Sequence, residues 1–154
     1  MTDTPPAAPP LAVLDTHVLL DWLVFANPAV GPVVRAIEAG RLVWLASPAL
    51  RHEHDLVAGR AELARWRPDP GALAVAWTRW ARLASDPDGA APWRCSDPDD
   101  QKFLDLAWAA KARWLITRDH ALLKLRRRAA QAQLEIITPE NWARQQELAL
   151  TLAA

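Results

Sequence analysis

Four acidic residues raise the chemical question in this chain. Asp15 ends the apolar run "LAVLD", and Asp119 follows the apolar run "WLIT" within two residues. Glu53 lies in "SPALRHEHDLV", residues 47–57, where Ser47 and Pro48 read as a helix start with the serine hydroxyl as cap. At about 100° per residue, Ala49, Leu50, Leu56 and Val57 gather on one side of that helix. Glu53 falls among them, and Asp55 points away. Asp100 repeats the oddity in "CSDPDDQKFLDLA": Phe103, Leu104, Leu106, Ala107 and Ala110 define an inward stripe, and Asp100 lies close to its centre. Asp97 there is a candidate cap, Asp99 sits to the side and Asp105 points outward. Aspartates after strands commonly cap the following helix and complement its dipole. That ordinary role does not require an acid to be centred on a greasy face.

The elements that position these acids alternate. "LAVLD" and "LVWLAS" read as buried strands, each followed by a helical stretch, "HVLLDWLVF" and the one beginning at Pro48. "PAVGPVVRAIEAG" reads as a helix stopped by Gly40. Leu73, Trp77, Trp80 and Ala84 recur at helical spacing in "GALAVAWTRWARLA", and "SDPDGAAPWRCSDPDD" is a loop by its turn residues. Further on, "PDDQKFLDLAWAAKA" predicts a helix, "WLIT" a strand, "DHALLKLRRRAAQA" one helix, "LEIIT" a strand and "PENWARQQELALTLAA" a closing helix. Strands alternating with helices predict a three-layer α/β/α domain over residues 11–154 with a mainly parallel central sheet. Residues 1–10, "MTDTPPAAPP", read as a flexible proline-rich tail.

In a parallel sheet the strand carboxyl ends form the ligand crevice. Asp15, Glu53, Asp100 and Asp119 are therefore expected at one edge. Two carboxylates about 4 Å apart repel by roughly 4 kcal/mol at an effective dielectric of 20. A divalent cation removes that penalty, and an all-oxygen donor set favours magnesium or manganese over zinc.

Composition bounds the rest. Lys and Arg number 18 and so do Asp and Glu, so the formal net charge is zero; without the four acids, 18 bases face 14 acids. Lys124, Arg126, Arg127 and Arg128 form the densest basic run, which reads as a solvated helix face or a phosphate-contacting patch. Cys95 is the only cysteine, so no intrachain disulfide forms. No secretory signal and no membrane-length apolar segment is evident, and a cytoplasmic protein is expected. His52 and His54 project about 160° apart on a helix and are expected at the surface, without zinc-protease spacing. Trp77 and Trp80 are expected in a core, or at an interface of a homo-oligomer, rather than under stacked bases. A dinucleotide fold would need a glycine-rich turn after the first strand, and "LDTHVLL" has none.

Taken together, "VLDT", Glu53, "CSDPDDQKFLDLA", "WLITRD", Leu122 with Leu123, and "IITPENW" resemble the PIN-domain family of metal-dependent nucleases in order and spacing. The nearest branch is that of toxin components of toxin–antitoxin systems. The resemblance implies a Rossmann-like fold and magnesium- or manganese-dependent hydrolysis of RNA under control of a cognate antitoxin. It carries the catalytic and metal-binding acids onto Asp15, Glu53, Asp100 and Asp119, with Asp97, Asp99, Thr117 and His17 as outer contributors. His17 departs from the family, which usually has asparagine there. Arg118, Lys124, Arg126, Arg127 and Arg128 are the expected RNA contacts. The alternative is a catalytically degenerate module that binds RNA or another protein.

Overall fold

A computed structural model describes residues 7–153. Most of the expected tail, residues 1–6, lies outside the described residues, and residues 7–10 lead without regular structure into the first strand.

Five short strands form one all-parallel sheet: β1 (Leu11–Leu14), β2 (Val43–Ala46), β3 (Ala81–Leu83), β4 (Trp114–Ile116) and β5 (Glu135–Ile137). Their order is β3-β2-β1-β4-β5. The helices are α1 (Thr16–Leu23), α2 (Gly31–Glu38), α3 (Pro48–Ala58), α4 (Pro70–Trp80), α5 (Gln101–Ala109), α6 (His120–Leu123), α7 (Arg126–Gln131) and α8 (Pro139–Ala153).

The strands read as unbroken apolar runs because both faces of the sheet are covered. Val13, Leu45, Leu115 and Ile136 point to one face and pack on Phe103, Leu104 and Leu106 of α5 and Leu122 of α6. Their neighbours Leu14, Trp44, Ala46, Trp114 and Ile116 point the other way, onto Val18 and Leu19 of α1, Val33 and Ile37 of α2 and Trp142 of α8. This is the three-layer arrangement. Trp77 joins the second core, its ring 4.4 Å from that of Trp44, as a core tryptophan should. Gly40 ends α2 at φ +74°, a left-handed conformation that suits glycine.

Several local expectations change. The helical run through Ala84 stops at Trp80, and Ala81–Leu83 becomes β3. The open edge of β2 takes the chain: Ala81 pairs with Trp44, and the Ala84 amide donates to the Ala46 carbonyl at 2.8 Å. Backbone pairing at the sheet edge outweighs the helical spacing of the side chains. The single helix expected after Asp119 is two, because the chain tightens at Leu125, whose amide donates to Leu122 three residues back. Leu122, Leu125 and Ala129 are all buried as a result. The Ser47 hydroxyl makes no cap; Asp86, from the loop after β3, accepts the Ala49 amide at 3.1 Å.

The buried side of α3 is Leu50, His54 and Ala58, while Leu56 is 58% exposed. Glu53 therefore flanks the buried stripe, about 100° from its centre, rather than lying at its middle. His54 corrects the expectation of a surface histidine: it is fully buried, and of the two only His52 is exposed. The Trp77 indole donates to His54 Nδ1 at 3.2 Å. An accepting Nδ1 places the ring proton on Nε2. Burial holds the His54 pKa down, against the pull of Asp55.

Candidate metal centre

The sheet order fixes where the site lies. The chain runs outward from β1 to β2 and β3, then crosses back to add β4 and β5 on the other side of β1. The carboxyl ends of β1 and β4 are the point of reversal, where α/β sheets open a crevice. Leu14 is in register with Ile116, so Asp15 and Thr117 leave the sheet side by side.

Thr117 links the first and last acids. It is fully buried, and its hydroxyl donates to Asp15 Oδ2. The same hydroxyl oxygen accepts the Asp119 amide at 2.9 Å. Asp15 Oδ1 accepts the Val18 amide at 2.9 Å, which caps α1. Asp119 caps α6 through the Ala121 amide at 2.8 Å, and Asp97 caps the turn at Pro98–Asp100 through the Asp99 amide at 3.0 Å. The ordinary capping role is thus real for three of the aspartates. Capping is also what aims them. Each is fixed at a helix start on the same sheet edge, and in Asp97 and Asp119 the cap takes only one oxygen.

Asp97 reaches the site from a loop, and the loop is pinned by buried polar groups. Gln101 accepts the Cys95 amide at 2.7 Å and donates to the Trp93 carbonyl and to Asp105. Asp105, expected to point outward, is half-buried and accepts the Ala91 amide at 2.8 Å.

A cavity of about 210 Å³ results, lined by Asp15, Thr16, His17, Glu53, Val57, Arg60, Asp97, Asp99, Asp100, Phe103 and Asp119. All four principal acids of the sequence analysis face it. They are not equivalent. Among the described residues, Asp97, Asp100 and Asp119 offer ligand oxygens within 4.8 Å of one another. Asp15 adjoins them and engages both of its oxygens. Glu53 accepts the Thr16 hydroxyl and lies 2.6 Å from Lys102 Nζ.

The electrostatics mark the same group. Burial, then the hydrogen bond and negative charge of Asp119, push the Asp100 carboxyl up to about 8, with Asp97 and Asp15 adding to the rise. Burial acts the same way on Asp119, but the hydrogen bond from Asp100 and the Ala121 amide outweigh it and hold that carboxyl below its ordinary value. The pair shares one proton that sits on Asp100. Burial also raises Asp15, against the lowering effect of Thr117 and Val18.

The residues fit a hard divalent cation. Asp100 Oδ2 is buried with no hydrogen-bond partner. The donors around it are carboxylate oxygens, which suit magnesium or manganese. Asp97, Asp100 and Asp119 would hold the ion, with Asp15 beside them.

Sequence reasoning passed over Thr16, Lys102 and Arg60. The structure brings Thr16 and Lys102 onto Glu53 and sets Arg60 at the cavity. Arg118, expected to face RNA, is instead paired with Asp21 of α1 at 3.0 Å and with Glu140 of α8. Lys124 and Arg126–Arg128 are exposed. Arg126 and Arg127 line a separate groove with His120 that shares no residue with the acid cavity. Cys95 is buried and burial raises its thiol, which does not favour a nucleophile.

Residues 12–121 match the family model described as PIN domain. No curated protein matches the chain.

Proposed function

We propose, from the premise that this chain belongs to the PIN-domain family, that it hydrolyses phosphodiester bonds of RNA at the acid cavity with a magnesium or manganese ion. PIN domains are generally nucleases, and the carboxylate cluster at the β1–β4 edge is the equipment such chemistry needs. The observation that carries the reading is the trio Asp97, Asp100 and Asp119, with an unpartnered Asp100 oxygen at its heart.

When bound, a divalent ion supplies a polarising charge on a phosphate oxygen and a lowered pKa for an attacking water. The chain's own residues do the rest. Asp97 and Asp119 present oxygens already oriented by their capping bonds, so little reorganisation opposes binding. Thr117 fixes Asp15 against β4. His17, exposed at the cavity, is placed to donate to a phosphate. No serine or cysteine nucleophile is required.

The toxin role and a cognate antitoxin are supported by the order of motifs that the chain shares with that branch. A short neighbouring reading frame encoding a DNA-binding protein is the expected genomic companion, and its absence counts against the toxin role. RNA as substrate suits a cytoplasmic setting. Among the described residues, no single helix is long and apolar enough to cross a membrane.

The test is cleavage of labelled RNA by purified protein in manganese and in chelator. Cleavage is expected only with the metal. Asp100→Asn should lower the rate at least about 100-fold while leaving the circular dichroism spectrum unchanged. Equal cleavage by the variant and the parent, with contaminating nuclease excluded, defeats the proposal in favour of a non-catalytic module.

A further inference from the structure

A groove of about 520 Å³ opens beside the acid cavity, lined from α3, from the 3₁₀ turn at Ala61–Trp66 and from the start of α4. Arg51, Arg60 and Arg67 bring positive charge to it, and Asp55 is its one acid. A 3₁₀ turn sets residues three apart in a single row. Ala61, Ala64 and Arg67 therefore follow one another along the groove. The residues that complete the lining are alanines, prolines, Gly59 and Leu73, none with a side-chain donor or acceptor.

The three arginines differ in what else they hold. Arg51 lies 3.4 Å from Asp55 and sits over the Trp77 ring at 4.9 Å, so the one acid is already offset. Arg60 and Arg67 are exposed, and among the described residues neither pairs with a carboxylate. Arg67 also stands at φ +49°, a left-handed backbone that a long side chain rarely adopts. Its amide donates to the Ala64 carbonyl at 3.0 Å, and that turn brings Arg67 to the groove.

Position and chemistry name the occupant. Arg60 lines both the groove and the acid cavity, so the two are continuous. The cavity is lined mainly by carboxylates, which repel a phosphate chain except at a bound cation. Unpaired guanidiniums beside it attract the same chain. With no amide, hydroxyl or aromatic side chain in its lining, the groove has little with which to read a base.

We propose that this groove holds the flank of the substrate RNA, with Arg60 and Arg67 gripping its phosphates and no base read there. The passage of the strand onward to the ion rests on the nuclease reading; its binding in the groove does not.

Fluorescence anisotropy of the full chain with short labelled homopolymers of uridine, adenosine and cytidine, in chelator so that nothing is cut, tests the grip. Arg60→Gln and Arg67→Gln should each weaken binding about fivefold, by a like factor for all three sequences, and each should lower the salt slope by about 0.7. Arg67→Lys, which keeps the charge, should recover most of the loss. Polyglutamate of equal charge should bind no tighter than RNA. In manganese, Arg67→Gln should raise KM about fivefold and leave kcat within about twofold, since Arg67 does not line the acid cavity. Unchanged RNA binding in both variants, a loss confined to one homopolymer, or tighter binding of polyglutamate overturns the proposal, the last in favour of an acidic protein partner. A parent that binds RNA through Arg60 and Arg67 but never cuts it ends the nuclease reading and leaves the groove as an RNA-binding surface. A parent that cuts RNA with KM unchanged in Arg67→Gln ends the groove's role and leaves the nuclease reading standing.

Discussion

Asp100 and Asp119 behave as one group with one proton, and this sets the pH response at the residue scale. The folded chain holds Asp100 protonated up to about pH 8, whereas an unfolded aspartate releases its proton near pH 4. The folded state then binds more protons between those values, so the metal-free protein loses stability as pH rises from about 4 to 8. A divalent ion favours the ionised form and reverses the trend. Thermal melts at pH 5, 6.5 and 8 should show the stabilisation by manganese growing with pH. Asp100→Asn should remove most of the pH slope and raise the metal-free melting temperature by about 2–4 °C at pH 8, where the ionising carboxyl meets its acidic neighbours, with little change at pH 5. An unchanged slope in the variant would remove Asp100 as its source. The importance of Asp100 was legible in the sequence, because a helical wheel places it on the buried stripe. The pairing of Lys102 with Glu53 was not, since the two residues lie 49 positions apart on different helices.

Helix starts organise the elements. Asp15, Asp97 and Asp119 each cap a helical turn at the sheet edge, and the carboxylates converge because the caps do. Arg118 supplies a second kind of order. It leaves β4 and joins Asp21 of α1 to Glu140 of α8, two helices on the same side of the sheet. Asp21 is the less exposed partner at 14%, against 42% for Glu140. Arg118→Ala should therefore destabilise by about 1–2 kcal/mol in urea unfolding, most of it through Asp21. Burial acts to raise Glu140, but the Arg118 guanidinium outweighs it and holds that carboxyl below its ordinary value. Its contribution is present above the unfolded value near 4.3 and is lost as pH falls further. Arg118→Ala should flatten that acid limb; a variant as acid-sensitive as the parent would deny the latch. The sequence could not separate this role from RNA binding, because an arginine after a strand suits both. Strand β3 was hidden for a related reason: its residues continue the helical spacing of α4, and only the free edge of β2 redirects them.

At the scale of the whole molecule, zero net charge conceals an uneven distribution. Acids fill the cavity, while Arg51, Arg60 and Arg67 line a neighbouring groove of about 520 Å³. That groove shares Arg60 with the cavity, whereas the groove at Arg126 and Arg127 shares nothing with it. Arg60→Ala should weaken RNA binding more than the pair Arg126→Ala and Arg127→Ala, and should reduce the salt slope by about 0.7 for each phosphate that the variant no longer neutralises. Anisotropy titrations from 50 to 200 mM salt, about the range in which such interactions weaken, read this directly; the reverse ranking would move the RNA path to the α7 side. The sequence by itself determined the alternation of strands and helices, the mainly parallel sheet and the acids at its edge, because apolar periodicity and capping chemistry act over a few neighbouring residues. Tertiary structure alone decided which oxygens stand within reach of one ion, that Glu53 faces Lys102, that Arg118 is consumed in a latch and that His54 is buried. Those outcomes depend on how whole helices lie across the sheet, and pairings between residues far apart in the chain leave no local periodicity to read.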